Sequence, residues 1–333
     1  MTNAWLRRVV MVAAALSASL LAGCGSSTIE SALKPSRFIS FGDAFSDLGQ
    51  GGTRYTVNDA PFNAATVNIW TQKLASTYGK TLTVALDASG VSYATGNARI
   101  TQTPDAAAGA APTIQAQITT FLGASAFGAN DVALINGGYS DIIVNVMRVL
   151  DPAVSVPFGG TITQGQALAN ISQAGTDLGT QVRRLVNNGA KYVVVAGVYD
   201  LSKSPWATAI SQTSLLSQAS ANFNQALLIS IADLGANVLY VDTAAYFNLL
   251  TTNPSSYSLT NATAAACDAT TAADAGNGIG TGNGKINSAL CTTATITAGQ
   301  DYTKYVFADQ VYPTPASHTL WGTQAKNSLA SRW

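Results

Sequence analysis

Charged side chains are scarce in this sequence, and their scarcity limits the partners that electrostatics can attract. Only 10% of the 333 residues are charged, and 17 basic residues balance 17 acidic ones to a formal net charge of zero. Proteins that bind nucleic acid or anionic membranes do so through clusters of Lys and Arg. We therefore expect no nucleic-acid partner, and the abundance of Ala, Thr, Gly and Asn is typical of an exported protein.

Histidine and cysteine are also rare, with one His and three Cys in the whole chain. Structural and catalytic metal sites combine several such side chains, often as closely spaced Cys pairs. The sequence has no close Cys pair. We predict no metal site and no cofactor.

The apolar run at the N-terminus indicates export. Arg7 and Arg8 precede residues 9–21, which are too short a run for a comfortable membrane span. The tetrad Leu21-Ala22-Gly23-Cys24 resembles a bacterial lipobox, in which the Cys24 sulfur is lipidated and Cys24 becomes the first residue after cleavage. Residues 1–23 are then a lipoprotein signal peptide. The alternative is an ordinary signal peptide with a chance cysteine.

The residues after Cys24 refine the expected location. Gly25 rather than Asp follows Cys24, which fits delivery to the outer membrane of a Gram-negative envelope. Residues 24–35 are predicted to be a short tether. We expect a lipid anchor to hold the chain on the outer membrane. The sequence does not indicate whether the chain lies on the periplasmic or the outer surface of that membrane.

Cys267 and Cys291 remain, and an even pair in an oxidising compartment favours a disulfide. The bond would close part of a low-complexity insertion at about residues 258–299. Two buried free thiols are the alternative.

Apolar periodicity alternates between that of strands and that of helices along residues 36–333, which we predict to be a single domain. This alternation indicates an α/β fold, a three-layer α/β/α sandwich with a central, mostly parallel sheet of about five strands. Predicted strands are residues 38–41, 92–94, 132–135, 192–196 and 238–241; predicted helices are 67–78, 112–122, 166–187, 217–234 and a C-terminal helix, with Gly189 and Gly235 as C-caps.

Ala44 and Ser140 both follow predicted strands. In parallel sheets, sites form in the loops beyond the carboxyl ends of the strands. A functional site is therefore expected where these two residues lie.

Five segments, in this order, resemble the GDSL or SGNH family of ester hydrolases. They cover nearly all of the chain after Cys24, and together they are a stronger signal than any one alone. The segments are residues 41–47 (FGDAFSD), 92–99 (SYATGNAR), 187–191 (NNGAK), 199–205 and 305–318 (YVFADQVYPTPASH).

The resemblance implies a flavodoxin-like sandwich and carboxyl-ester hydrolysis. The family mechanism uses a Ser nucleophile, a His base and an Asp that orients the His, with oxyanion donors from backbone and Asn groups. Here the nucleophile position is Ala44, and a methyl group cannot attack an ester. The base position is Tyr312, and a phenol with a pKa of about 10 is a poor base at neutral pH. Asp309 remains, and we expect it to bind the Tyr312 hydroxyl.

The oxyanion positions also depart from the family pattern. They fall at Asn97, with Gly96 beside it as a substitute, and at Ser140, where the family has Asn. Residues 128–131 match the Gly-x-Asn-Asp motif by letters, but they precede the strand. We interpret them as a surface turn.

Four other polar residues near these segments are candidates for chemistry. Ser46 and His318, the single histidine, could in principle replace the lost nucleophile and base, but we interpret them as turn and packing residues. Asp43 and Asp47 are interpreted as turn and cap residues rather than as an acid/base pair.

Three functions remain open. The first is a catalytically degenerate envelope lipoprotein that binds an acyl or glycan ligand or an envelope protein. The second is an active esterase or lipase with non-standard catalytic groups. The third is a structural envelope component whose old cleft is filled by side chains such as Phe45, Tyr139 and Tyr312.

Overall fold

The structure is a computed structural model that describes residues 32–274 and 284–333. The predicted signal peptide, Cys24 and most of the predicted tether lie outside the described residues, as do residues 275–283 of the insertion. In the part that is described, no helix combines the length and apolarity needed to cross a bilayer.

Four parallel strands form the central sheet, which confirms the α/β class. They are β1 (Phe38–Phe41), β2 (Val132–Asn136), β3 (Tyr192–Ala196) and β4 (Val238–Val241), hydrogen-bonded in the order β1-β2-β3-β4. The register aligns the strand ends, with Phe41 opposite Ile135 and Ala196 opposite Val241. The loops after all four strands therefore open at one edge, where the site is expected.

The fifth predicted strand, residues 92–94, is reduced to isolated parallel bridges from Ser92 to Ser40 and to Val84. Next to the bridge with Ser40, Tyr93 donates its N–H to the Ser40 carbonyl at 2.7 Å. The chain then turns at once, because Ala98 donates to the Thr95 carbonyl and Asn97 takes a left-handed φ of 62°. The tight turn leaves too few extended residues for a strand.

Nine α-helices are present in residues 32–274 and 284–333. Helices α3, α5 and α7 pack with one another and α1 packs against α9, which gives helical layers flanking the sheet. The helices are α1 (Trp70–Thr77), α2 (Ile114–Ala124), α3 (Tyr139–Leu150), α4 (Pro152–Ser155), α5 (Gln164–Asn187), α6 (Pro205–Ala209), α7 (Thr213–Ile231), α8 (Thr243–Thr252) and α9 (Pro315–Arg332).

The ends of helices α5 and α7 show which capping residues can be recognised from the sequence. Helix α5 begins with a capping box, in which Thr163 and Gln166 satisfy each other's backbone N–H. Gly189 follows α5 with φ of 96°, as a C-terminal glycine should. Gly235 does not cap in this way: its φ is −57°, because α7 ends in a 3₁₀ turn that keeps right-handed geometry.

The insertion packs as a small satellite of the main core. Strands β5 (Asn261–Ala265) and β6 (Tyr305–Phe307) pair in parallel in a second sheet. The predicted disulfide joins Cys267 and Cys291, whose Cα atoms are 5.9 Å apart. Both cysteines are buried in a separate apolar cluster that includes Ala308, one residue before Asp309.

Candidate functional site

The loop after β1 carries the position where the family resemblance places the nucleophile. Gly42 is required at the start of this loop, because a Cβ there would collide with the side-chain amide of Asn136. Ala44 follows and is fully buried. Its methyl group therefore faces protein atoms and not a substrate.

Asp43 anchors this loop to the next strand and helix. Its carboxylate accepts hydrogen bonds from Phe45 N (3.1 Å), Asn136 Nδ2 (2.8 Å) and Tyr139 N (3.2 Å). Burial raises the pKa of Asp43 to about 6. Asp43 holds a turn, as predicted, but no helix opens after it, so the predicted cap role is wrong. Its carboxylate instead joins the ends of β1 and β2 to the start of α3.

Ser46 belongs to the same buried network. Its hydroxyl accepts a hydrogen bond from Trp70 Nε1 at 2.9 Å and donates to the Asn136 side-chain oxygen. The Ser46 hydroxyl thus serves as both donor and acceptor, and neither Trp70 nor Asn136 is a base. Ser46 is a structural residue of the turn.

The Gly96 N–H is engaged by another carboxylate. Asp47 Oδ2 accepts this N–H at 2.7 Å, and Asp47 Oδ1 accepts those of Gly49 (2.8 Å) and Gln50 (2.9 Å). Gly96 is therefore not placed to stabilise an oxyanion in this structure. Burial raises the pKa of Asp47 to about 6, and the three hydrogen bonds oppose that rise.

The other two predicted oxyanion positions, Asn97 and Ser140, also contact only protein groups. Asn97 Nδ2 donates to the Tyr55 hydroxyl at 2.9 Å. Ser140 lies in the first turn of α3, and its buried hydroxyl has no hydrogen-bond partner. Neither side chain presents a donor toward open space.

Aromatic rings pack together around the loop that carries Ala44. The Phe45 ring stacks on Tyr139 with centroids 5.0 Å apart, and Tyr139 contacts Tyr312 at 6.3 Å. Tyr55 meets Tyr312 edge-on at 5.3 Å. Phe45, Tyr139 and Tyr312 are each 0% exposed, so they form a buried aromatic cluster.

Asp309 is the one residue of the triad implied by the resemblance that is present, but its partners differ from those predicted. Oδ1 accepts the backbone N–H groups of Val311 (2.7 Å) and Tyr312 (2.5 Å), and Oδ2 accepts that of Ser288 (3.0 Å). The Tyr312 hydroxyl has no partner. The predicted Asp309–hydroxyl bond is wrong, because the carboxylate folds back onto its own loop while the ring of Tyr312 enters the aromatic cluster.

Burial also sets the protonation of this pair. It raises the pKa of Tyr312 well above that of an ordinary phenol, and the nearby Asp43 and Asp309 charges add to the rise. Burial raises the pKa of Asp309 as well, against its hydrogen bonds. Tyr312 therefore stays protonated and cannot accept a proton from a nucleophile.

His318 packs against the same cluster. Its ring lies 5.1 Å from that of Phe45, and neither ring nitrogen has a hydrogen-bond partner. Burial lowers the pKa of His318 to about 3. Ser46 and His318 form no hydrogen-bonded pair, in agreement with their interpretation as turn and packing residues.

The Gly-x-Asn-Asp string at residues 128–131 forms the turn before β2, as predicted. Asp131 closes it by accepting the Gly128 N–H at 2.7 Å, and it pairs with Arg37 at 2.8 Å. This turn precedes the strand, whereas Asp43, Ala44 and Tyr139 lie beyond the strands' carboxyl ends.

The sequence analysis missed Asn136, Trp70 and Ser288, which hold the site's polar groups. Asn136 carried a usable signal, since it is a polar residue at the end of an otherwise apolar strand. Trp70 and Ser288 carried none, because their contacts join distant segments. In the described part of the chain, no group of three or more His, Cys, Asp or Glu side chains could hold a metal ion.

Comparison with known proteins gives one relative and no family. No protein-family model matches the chain. A curated protein of Pseudomonas putida, named "Uncharacterized protein in trpE-trpG intergenic region", is 27% identical over 316 residues. The alignment covers 90% of this chain and 49% of the relative, so the chain spans about half the length of the protein it matches.

Proposed function

We propose that this chain is a catalytically inactive domain of the GDSL/SGNH hydrolase type that acts in the bacterial envelope as a structural or partner-binding component. The observation that carries the proposal is the fully buried Ala44 at the nucleophile position, next to an aromatic cluster that fills the cleft. The five segments of family resemblance support the hydrolase origin.

Each step of ester hydrolysis lacks its chemical group. Ala44 has no atom that can form an acyl intermediate. Tyr312 is a buried phenol whose pKa is raised, so it cannot act as the base. The Gly96 N–H already binds Asp47, which removes one donor for the oxyanion. These losses are independent, and a single substitution could not explain them.

The filled cleft favours the structural form of the proposal over binding of an acyl or glycan ligand in the old site. A ligand there would have to displace Phe45, Tyr139 and Tyr312, each of which is 0% exposed. Packed aromatic side chains contribute large buried apolar areas to stability, so opening the cleft would be costly. No observation favours the active-esterase alternative.

Hydrolysis of short- and medium-chain p-nitrophenyl esters by the purified protein tests this proposal. Ala44→Ser runs beside it, with Ala219→Ser as a control that buries a hydroxyl in α7 away from the site. We expect no turnover above the buffer rate from any of the three, since Ala44→Ser still lacks a base. Clear turnover by the unaltered chain would overturn the proposal.

The triple variant Ala44→Ser, Ser140→Asn, Tyr312→His tests the hydrolase origin separately. It restores the nucleophile, the amide donor and the base at the family positions. Ester cleavage by this variant alone would support both the origin and the inactivity. Absence of cleavage would count against the family assignment while leaving the inactivity in place.

The lipid anchor is part of the same proposal and rests on the lipobox-like tetrad that ends at Cys24. Metabolic labelling with an alkyne-bearing palmitate analogue tests it. We expect labelled protein in the outer-membrane fraction and loss of label in Cys24→Ser. Label that persists in Cys24→Ser would refute the anchor.

A further inference from the structure

A polar cavity of about 210 Å³ opens between α3 and α5, outside the aromatic cluster. Eight of its nine lining residues are charged or carry side-chain amides, and Ala174 is the exception. The cavity is large enough for several water molecules or one small ligand. None of these residues was singled out as a site from the sequence.

Two guanidinium groups reach this cavity with donors to spare. Arg148 uses its Nε to bind the Gly160 carbonyl at 2.9 Å, and its terminal nitrogens bind no group in the described residues. Arg99 uses its Nε to bind Asp141 at 3.1 Å, and one terminal nitrogen reaches the Pro104 carbonyl only at 3.5 Å. Arg99 is buried, so its remaining donors open onto the cavity rather than onto bulk solvent.

The two carboxylates of the cavity match the two guanidinium groups in formal charge, but other donors already occupy both carboxylates. Asp141 is occupied by Arg99 and by the Ile100 N–H at 3.0 Å. Asp177 accepts from Thr101 Oγ1 (3.0 Å) and Gln173 Nε2 (2.8 Å). Among the described residues, Arg148 forms no ion pair. Burial and the neighbouring charge of Arg99 lower the pKa of Arg148, which shows that the two cations repel.

Side-chain amides supply acceptors on the facing wall. Asn145 is held at both ends, because Nδ2 donates to the Asp141 carbonyl (2.9 Å) and Oδ1 accepts from Asn170 Nδ2 (2.9 Å). This arrangement leaves the side-chain oxygen of Asn170 without a donor, and that of Gln173 is likewise unused. Both oxygens can accept hydrogen bonds from hydroxyl groups.

We propose that this cavity binds a small sugar acid, whose carboxylate lies between Arg99 and Arg148 and whose hydroxyls donate to Asn170 and Gln173. Guanidinium groups bind carboxylates through two parallel charge-assisted hydrogen bonds. The exposed amide oxygens of Asn170 and Gln173 offer acceptors to a ligand that carries several hydroxyl groups beside its carboxylate, which acetate does not. The assignment is independent of the proposed loss of ester hydrolysis.

Titration of the purified protein with glucuronate, glucose, acetate and inorganic phosphate, followed by calorimetry or NMR, tests the assignment. We expect glucuronate to bind at least about tenfold more tightly than the other three, since only it combines a carboxylate with several sugar hydroxyls. Arg148→Gln should weaken glucuronate binding by about tenfold or more. Arg184→Gln is the matched control, because it is a half-buried Arg on α5 that binds Gln115 and Thr119 instead.

Gln173→Ala tests the hydroxyl contacts separately and should weaken glucuronate but not acetate. Unchanged melting temperatures would show that both cavity variants fold. Failure of glucuronate to bind, or binding that Arg148→Gln does not weaken, would overturn the proposal. Phosphate binding as tightly as glucuronate would overturn the sugar-acid assignment.

Discussion

The carboxylate of Asp309 accepts a hydrogen bond from the backbone N–H of Ser288 at 3.0 Å, and this contact joins the loop after β6 to the disulfide-closed insertion. In the mechanism implied by the family resemblance, the same carboxylate would orient a histidine. Here it organises backbone, since Val311 and Tyr312 are its other donors. The observed role of this carboxylate is therefore structural.

Asp309→Ala should strongly destabilise the protein. Three buried backbone N–H groups would lose their acceptor, and each unsatisfied buried group costs about 1–3 kcal/mol. We expect a loss of about 3 kcal/mol or more in the free energy of unfolding, with faster amide exchange in residues 284–291. Chemical denaturation and hydrogen exchange measure these effects.

Asp301→Ala is the control for Asp309→Ala. Asp301 also accepts a backbone N–H, that of Thr303 at 3.0 Å, but it is exposed. Its loss should cost about 1 kcal/mol or less, because water replaces the lost acceptor. Equal losses from the two substitutions would show that the Asp309 contacts contribute little.

Tyr312→Phe should leave the protein as stable as before, or more stable by up to about 1 kcal/mol. The Tyr312 hydroxyl is buried without a partner, so its removal deletes an unsatisfied polar group. Tyr199→Phe is the matched comparison, because the Tyr199 hydroxyl donates to the Val311 carbonyl at 2.6 Å. We expect Tyr199→Phe to cost about 1–2 kcal/mol in urea unfolding. A larger cost for Tyr312→Phe would mean that its hydroxyl has a partner.

His318→Phe should remove a source of instability in acid. The pKa of His318 is about 3 in the folded state, below its usual 6.5. A depressed pKa means that the unfolded chain binds more protons, so His318 lowers stability as the pH falls from 6.5 to 3. The stability advantage of His318→Phe over the unaltered protein should therefore grow by about 2 kcal/mol from pH 7 to pH 5.

Asp43 and Asp47 make the protein more stable as the pH falls, which is opposite to the effect of His318. The measurement must therefore compare the free energies of unfolding of His318→Phe and the unaltered protein at each pH. The pKa values of Asp43 and Asp47 are raised to about 6 in the folded state. A group whose pKa is raised on folding stabilises the folded state fully at pH values below its unfolded pKa. This stabilisation is lost as the pH rises through 6. In the unaltered protein these opposing effects combine, so only the difference between it and His318→Phe isolates the contribution of His318. A pH-independent effect of His318→Phe would contradict the buried, neutral state of the imidazole.

Removing the disulfide with Cys267→Ala and Cys291→Ala should lower the free energy of unfolding by about 3–4 kcal/mol, since the unfolded chain regains the freedom of the closed loop. Thermal unfolding with and without a reductant measures the same effect in the unaltered protein. The double variant should be insensitive to the reductant. An unaltered protein whose melting temperature ignores the reductant would show that the bond contributes little.

Strands and long helices could be predicted because their side-chain pattern is local. Residues 132–135 and 192–196 are apolar, β-branched runs, and both form central strands. Helix α3 was not predicted, since Ile142, Ile143 and Val144 give it the composition of a buried strand. Its start depends on tertiary contact, because Asp43 accepts the Tyr139 N–H. Residues 92–94 failed as a strand for a related reason, the turn at Asn97.

The residue identities alone establish that position 44 has no nucleophile, that position 312 has no histidine, and that Cys267 and Cys291 are available to pair. These are statements about which atoms are present. The folded chain was needed to show that Phe45, Tyr139 and Tyr312 are buried together. It was also needed to show that the Asp309 and Asp47 carboxylates bind backbone N–H groups, and that Arg99 and Arg148 line one cavity. Those outcomes depend on distances between segments far apart in the chain, and local side-chain patterns carry no information about such distances.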